Sequence, residues 1–184
     1  MITLNFAFWL FVFFFAVIGA MRGWAKELLV MFSVILGIFI IIILERYVPF
    51  LTARAAGSLD GIPTDFWVRS LLVGGLGFFG YQTPRFSRLD SAKLIREKAQ
   101  DIVLGFLVGG TNGYLIIGSI LAYLAQINYR LYEGFSYIQA PVAGTALGDA
   151  TLELLKVMPP EWLTIPWIFF AVAIAFAFVV VVFV

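Results

Sequence analysis

Two long uncharged runs, parted by a six-residue polar knot, constrain this chain more than any other feature. Residues 2–21 carry no charge, and neither do residues 28–44; between them lie Arg22, Gly23, Lys26 and Glu27. As an α-helix the first run is about 30 Å long, the thickness of a bilayer's hydrocarbon core. Twelve of its residues are Leu, Ile, Phe or Val. At the usual transfer values they favour insertion by about 5 kcal/mol. A signal peptide fits poorly, because no positive segment precedes the run and no small-x-small cleavage site follows it. The second run spans if Lys26 and Arg46 reach out to the two interfaces. Soluble domains are about half apolar and a quarter charged, whereas this one is 62% hydrophobic and 12% charged over 184 residues. Lipid must solvate most of it.

A third span is expected over residues 64–83. Pro63 suits its start and Pro84 its stop. Asp65 and Arg69 stand four residues apart, the spacing of a helix-face ion pair. Gly74, Gly75, Gly77 and Gly80 thin this helix, and close helix packing is expected at Gly74 and Gly77. A fourth span is expected over 102–126. There Gly105, Gly109 and Gly113 recur every four residues, a small-xxx-small face that lets another backbone approach. The glycine-thinned third span is the expected neighbour, and the same helix of a second copy the next. Thr111 and Asn112 lie mid-span and need a partner inside the bundle. Residues 163–184 form a fifth, uncharged run; with no basic anchor after it, the natural chain is expected to extend beyond Val184.

Two segments read as surface helices. Residues 86–100 alternate an apolar stripe (Leu89, Ala92, Ile95, Ala99) with Arg88, Lys93, Arg96 and Lys98, and Ser87 with Asp90 offers a capping box. The stretch LGDATLELLKVMPPEW, residues 147–162, reads as a short amphipathic helix stopped by Pro159 and Pro160, with Trp162 and Trp167 marking an interface. The expected fold is therefore all-α: a polytopic bundle of about five spanning helices plus an interfacial amphipathic helix over 86–100.

Lys and Arg counts orient it. With five spans, Arg22, Lys26, Arg85, Arg88, Lys93, Arg96 and Lys98 share one side, seven of the twelve basic residues. The other side has Arg46, Arg54, Arg69, Arg130 and Lys156 over longer loops. The denser side reads as cytoplasmic, which puts the N-terminus outside.

The knot Gly19-x-x-Arg22-Gly23-x-x-x-Glu27 resembles the first hairpin of the colicin V production protein family. The stretch LDSAKLIREKAQDIVLGFLVGGTNGYLI is similar to the family's charged surface segment and following glycine-bearing span, and LGDATLELLKVMPPEW to its closing helix. The resemblance covers about residues 1–162; residues 163–184 are an additional C-terminal transmembrane helix, since family members usually have four spans. It implies a multi-pass protein of the bacterial inner membrane, linked to toxin production or secretion and to envelope homeostasis. From the residues themselves, Arg22 suits the C-terminal carbonyls of span one, Gly23 a turn, and Glu27 the start of span two. Gly19, Arg22, Gly23 and Glu27 thus read as a hairpin lock.

The chain has neither Cys nor His, so thiol chemistry and the commonest metal ligand and general base are excluded. Its net charge of +1 gives nucleic acid nothing to bind. No catalytic constellation emerges and no cofactor or metal is expected. Membrane lipids and protein partners, or a homo-oligomer, are the expected company. A small accessory subunit of a larger respiratory or photosynthetic complex is the alternative, with lipid or pigment contact in that case. A minor transporter or channel component, resting on Thr111 and Asn112, is the third.

Overall fold

The computed structural model describes residues 3–47, 64–82, 98–132 and 138–183. Those residues form seven helices: α1 Leu4–Arg22, α2 Trp24–Tyr47, α3 Thr64–Tyr81, α4 Lys98–Gln126, α5 Ala146–Lys156, α6 Pro159–Trp162 and α7 Trp167–Phe183. No strand occurs among the described residues. Three of the helices, α1, α2 and α4, are long and apolar enough to cross a membrane. The 18 residues of α3 include Asp65 and Arg69, and α7 has 17 residues.

Each boundary has a local cause. Thr3 caps α1, its side chain accepting from the Phe6 amide at 3.2 Å. At the other end Gly23 has φ +88° and donates its N–H to the Gly19 carbonyl at 2.9 Å. A side chain would strain that backbone, so a single glycine separates α1 from α2. The knot's charges do not end a helix: α2 begins at Trp24 and runs through Lys26, Glu27, Glu45 and Arg46 to Tyr47. The span expected over 28–44 is longer at both ends because backbone hydrogen bonding continues where hydrophobicity stops. Likewise α4 begins at Lys98, not at residue 102, so the last three residues of the helix expected over 86–100 belong to α4's first turn. Residues 83–97, with Ser87 and Asp90, lie outside the described residues.

Proline sets the C-terminal boundaries, in a different way from the one expected. Rather than being stopped by Pro159 and Pro160, α5 ends at Lys156, and Pro159 opens the short turn α6. The uncharged run over 163–184 becomes helical at Trp167, after Pro166.

Pairwise contacts give the helix directions. Gly23 lies against Asp101 and Phe8 against Tyr114, so α1 runs antiparallel to α4. Gly80 meets Val30 and Gly37 meets Val73, so α2 and α3 are antiparallel. Phe39 packs on Phe169 and Trp24 on Phe178, so α7 is antiparallel to α2. The main core lines α2 with Val30, Val34, Ile38 and Ile41 and meets Val73 of α3, Leu115 and Ile116 of α4 and Ile168 of α7. A smaller cluster joins Phe8, Leu121 and Ala122 to Met158. Tyr114 donates its hydroxyl hydrogen to the Val157 carbonyl, and the Trp162 indole N–H donates to the Tyr114 oxygen at 3.1 Å. These bonds hold the α5–α6 joint against α4.

The glycine face of α4 packs on α1, which corrects the expectation that α3 or a second copy would fill it. A Cβ on Gly109 would stand 2.5 Å from the Phe15 carbonyl oxygen and 2.7 Å from the Gly19 Cα. One on Gly113 would stand 2.7 Å from the Phe15 Cβ. Gly105 is equally close to Gly19. Backbone therefore touches backbone along this seam, where lipid offers no hydrophobic gain and contact must come from close approach. The reason α1 wins is Gly19: it supplies the complementary groove. On α3, Gly77 faces Ile116 and Val34, whereas Gly74 has no atom near a Cβ position. Among the described residues Gly74 therefore packs on no helix.

Candidate functional site

Four helices bring polar side chains together where α1 and α3 end and α2 begins. Arg22 is the last residue of α1, and the one-residue joint at Gly23 places Glu27 one turn into α2. The Arg22 guanidinium donates through Nη1 to Glu27 Oε1 at 2.6 Å. Through Nη2 it donates to the carbonyl of Tyr81, at the end of α3, at 3.1 Å. It also lies over the Tyr81 ring, 4.5 Å from the centroid. Tyr81 donates its hydroxyl hydrogen to Glu27 Oε2 at 3.1 Å. From α4, Asn112 Nδ2 donates to the same oxygen at 2.9 Å and to the Glu27 main-chain carbonyl at 2.9 Å.

Glu27 and Asn112 are fully buried, while Arg22 keeps 21% of its side-chain surface. Both carboxylate oxygens are thus hydrogen-bonded, and one contact is to a cation. That combination is what makes a buried charge tolerable. Asn112 is the middle residue of the 29-residue α4, whereas Glu27 lies in the first turn of α2 and Tyr81 ends α3. The residue type already pointed to a partner for Asn112; nothing in its local pattern pointed to Glu27, 85 positions away. Asn112 Oδ1 is buried without a hydrogen-bond partner among the described residues.

The joint has a second support that the sequence did not announce. Asp101 Oδ1 accepts from the Trp24 amide at 3.1 Å, capping α2 from the first turn of α4. A carboxylate at a helix N-terminus also meets the positive end of its dipole. All four residues of the hairpin knot therefore have placements: Gly19 against α4, Arg22 on Glu27, Gly23 at the turn, Glu27 in the cluster. Gly105, Gly109 and Gly113 line the α1–α4 seam, Gly77 packs on α2 and α4, and Gly74 joins none of these.

A second polar group sits at the opposite end of α2. Arg69 pairs with Asp65 Oδ2 at 2.7 Å, the four-residue spacing legible in sequence, and with Glu45 Oε1 at 2.8 Å. Its Nη1 donates to Gln126 Oε1 at 2.6 Å, and its guanidinium lies 5.5 Å from the centroid of the Tyr123 ring. The Arg69–Glu45 contact is close but poorly aligned, since both atoms lack a hydrogen bond by angle; it acts through charge. Beyond α4, burial pushes the Tyr129 phenol above its ordinary range.

Among the described residues no three acidic, His or Cys side chains group to hold a metal ion. In the Glu27 cluster both carboxylate oxygens accept hydrogen bonds, from Arg22, Tyr81 and Asn112. The arrangement clamps α1, α2, α3 and α4 together. Comparison with protein-family models, with curated proteins and with solved structures finds no match to this chain.

Proposed function

We propose that the chain is a non-catalytic integral membrane protein of the colicin V production type, residing in the bacterial inner membrane and serving toxin production or secretion and envelope homeostasis. The observation that carries this reading is the fate of the Gly19-x-x-Arg22-Gly23-x-x-x-Glu27 pattern. Every member is used in holding helices together, and none presents a free group to a substrate. The reading further takes α1, α2, α3, α4 and α7 as five spans with the N-terminus outside. Their alternating directions support it, as does the seven-to-five division of basic residues. At about 27 and 26 Å, α3 and α7 are a little short for a hydrocarbon core of about 30 Å, a mismatch that local thinning accommodates.

The test has two arms. Expression in a bacterium lacking its own colicin V production protein should restore toxin secretion; an abundant, correctly inserted chain that restores nothing would count against the family reading. Single cysteines at Lys26 and Arg130 should be labelled from the cytoplasm and from outside respectively. Labelling of both from one side ends the five-span topology. Gel filtration of the mildly solubilised protein addresses the accessory-subunit alternative, which requires co-migration with a large stoichiometric complex.

A further inference from the structure

A cavity of about 490 Å³ opens between the far end of α2, Arg69 of α3, the end of α4 and the connection from α6 to α7. Ligand sites usually enclose about 300–1,000 Å³. Its buried lining is Ile38 and Ile41 of α2 with Tyr123 of α4; Ile42 continues the α2 face, and Ile165 of the connection lies at the exposed edge. Its rim is polar: Glu45, Arg46, Arg69 and Thr164. Ile38, Ile41, Ile42 and Glu45 recur at three- and four-residue steps, so one face of α2 grades from hydrocarbon to charge over about 10 Å. That gradient is the profile of a lipid's upper chain and headgroup.

The rim's charges specify the head. Arg69 is one cation held between two carboxylates, Asp65 and Glu45, which leaves a surplus negative charge. Glu45 Oε1 is buried on Arg69, yet the side chain is 38% exposed, so Oε2 is the oxygen open to a ligand. Arg46, the next residue, is exposed and makes no ion pair among the described residues. A cation without an ion pair among the described residues, beside a surplus carboxylate, complements a zwitterion: phosphate on the guanidinium, ammonium on the carboxylate. A primary ammonium donates hydrogen bonds to Glu45, whereas a trimethylated one cannot.

We propose that this cavity binds a bilayer aminophospholipid with a primary ammonium head, phosphate on Arg46, ammonium on Glu45 and upper chain on the α2 isoleucines. The inference rests on the membrane reading above. Recovery of the chain outside the membrane fraction would sink that reading, whereas a membrane-inserted chain without lipid selectivity sinks only this one. The full chain, taken from nanodiscs of mixed phosphatidylethanolamine, phosphatidylcholine and phosphatidylglycerol, is released into a native mass spectrometer and its retained lipids are counted. Phosphatidylethanolamine should be retained over phosphatidylcholine by about tenfold, the worth of a charge-assisted hydrogen bond. Glu45→Gln should erase that preference. Arg46→Gln should weaken retention of both lipids by about tenfold. Thr164→Trp, an exposed rim position, should fill the mouth and abolish retention without touching the core. Equal retention of all three headgroups, unchanged by Thr164→Trp, would show surface lipid only and overturn the site; a preference for phosphatidylglycerol would overturn the headgroup assignment.

Discussion

Replacing Arg22 by Ala strips the buried Glu27 carboxylate of its counter-ion. It removes the 2.6 Å contact to Oε1 and the 3.1 Å bond to the Tyr81 carbonyl, and leaves only Tyr81 and Asn112 as donors to the carboxylate. Breaking a buried pair by deleting one partner costs about 3–5 kcal/mol, because the other charge stays buried. Arg22 is itself 21% exposed, and water reaching that edge screens part of the loss. The expected cost is about 2–4 kcal/mol. For a chain of this size that lowers the melting temperature by roughly 5–15 °C. The informative comparison is Arg22→Ala with Arg22→Ala/Glu27→Gln. A neutral amide of the same shape needs no counter-ion, so the double variant should melt higher than the single one. Thermal melts of the solubilised proteins, with membrane abundance alongside, read this directly. If the double variant melts no higher than Arg22→Ala, the buried-charge reasoning is refuted. Full abundance and stability with complete loss of function would instead place a working site at the knot.

Two further outcomes follow from the joint and the seam. Gly109→Leu should force α1 and α4 apart, since even a Cβ would stand 2.5 Å from the Phe15 carbonyl oxygen; Val108→Leu, one position along α4, should be milder, and equal melting temperatures for the two would show the glycine to be dispensable. Asp101→Ala removes the cap on the Trp24 amide and should cost about 1 kcal/mol, read as a melting shift that Asp101→Asn largely restores.

The uncharged runs located helices because transfer into lipid depends on composition alone, and α1 and α4 fall close to where those runs lie. The ends were less legible. Glu27, Glu45 and Arg46 look like stop signals in a hydropathy reading, yet α2 passes through all three. Two of these have partners from other helices, Glu27 on Arg22 and Glu45 on Arg69, and a paired charge does not have to leave a helix. The knot's own residues carried their roles on their face: a glycine at a turn, and an Arg and a Glu close enough in sequence to pair. Asn112 showed only that it needed a partner.

Which helix lies beside which was harder still, and for a physical reason. In water an apolar stripe seeks any other apolar stripe; in a bilayer lipid satisfies it, so apolar residues say nothing about neighbours. Neighbours are written in small and polar residues, which are few and ambiguous singly. The α4 glycines matched α3's glycines as well as any other face. Gly19 is the deciding residue, and in the sequence it stands out only as part of the hairpin pattern. It serves both ends: its carbonyl accepts the Gly23 amide that closes the turn, and its missing side chain admits Gly105 and Gly109. A substitution there would therefore disturb the seam at the residue on which the turn closes. The same coupling fixes the polar cluster. With α1 seated on the glycines of α4 and only Gly23 before α2, Glu27 has little choice but to face α4, and Asn112 is the donor it meets there.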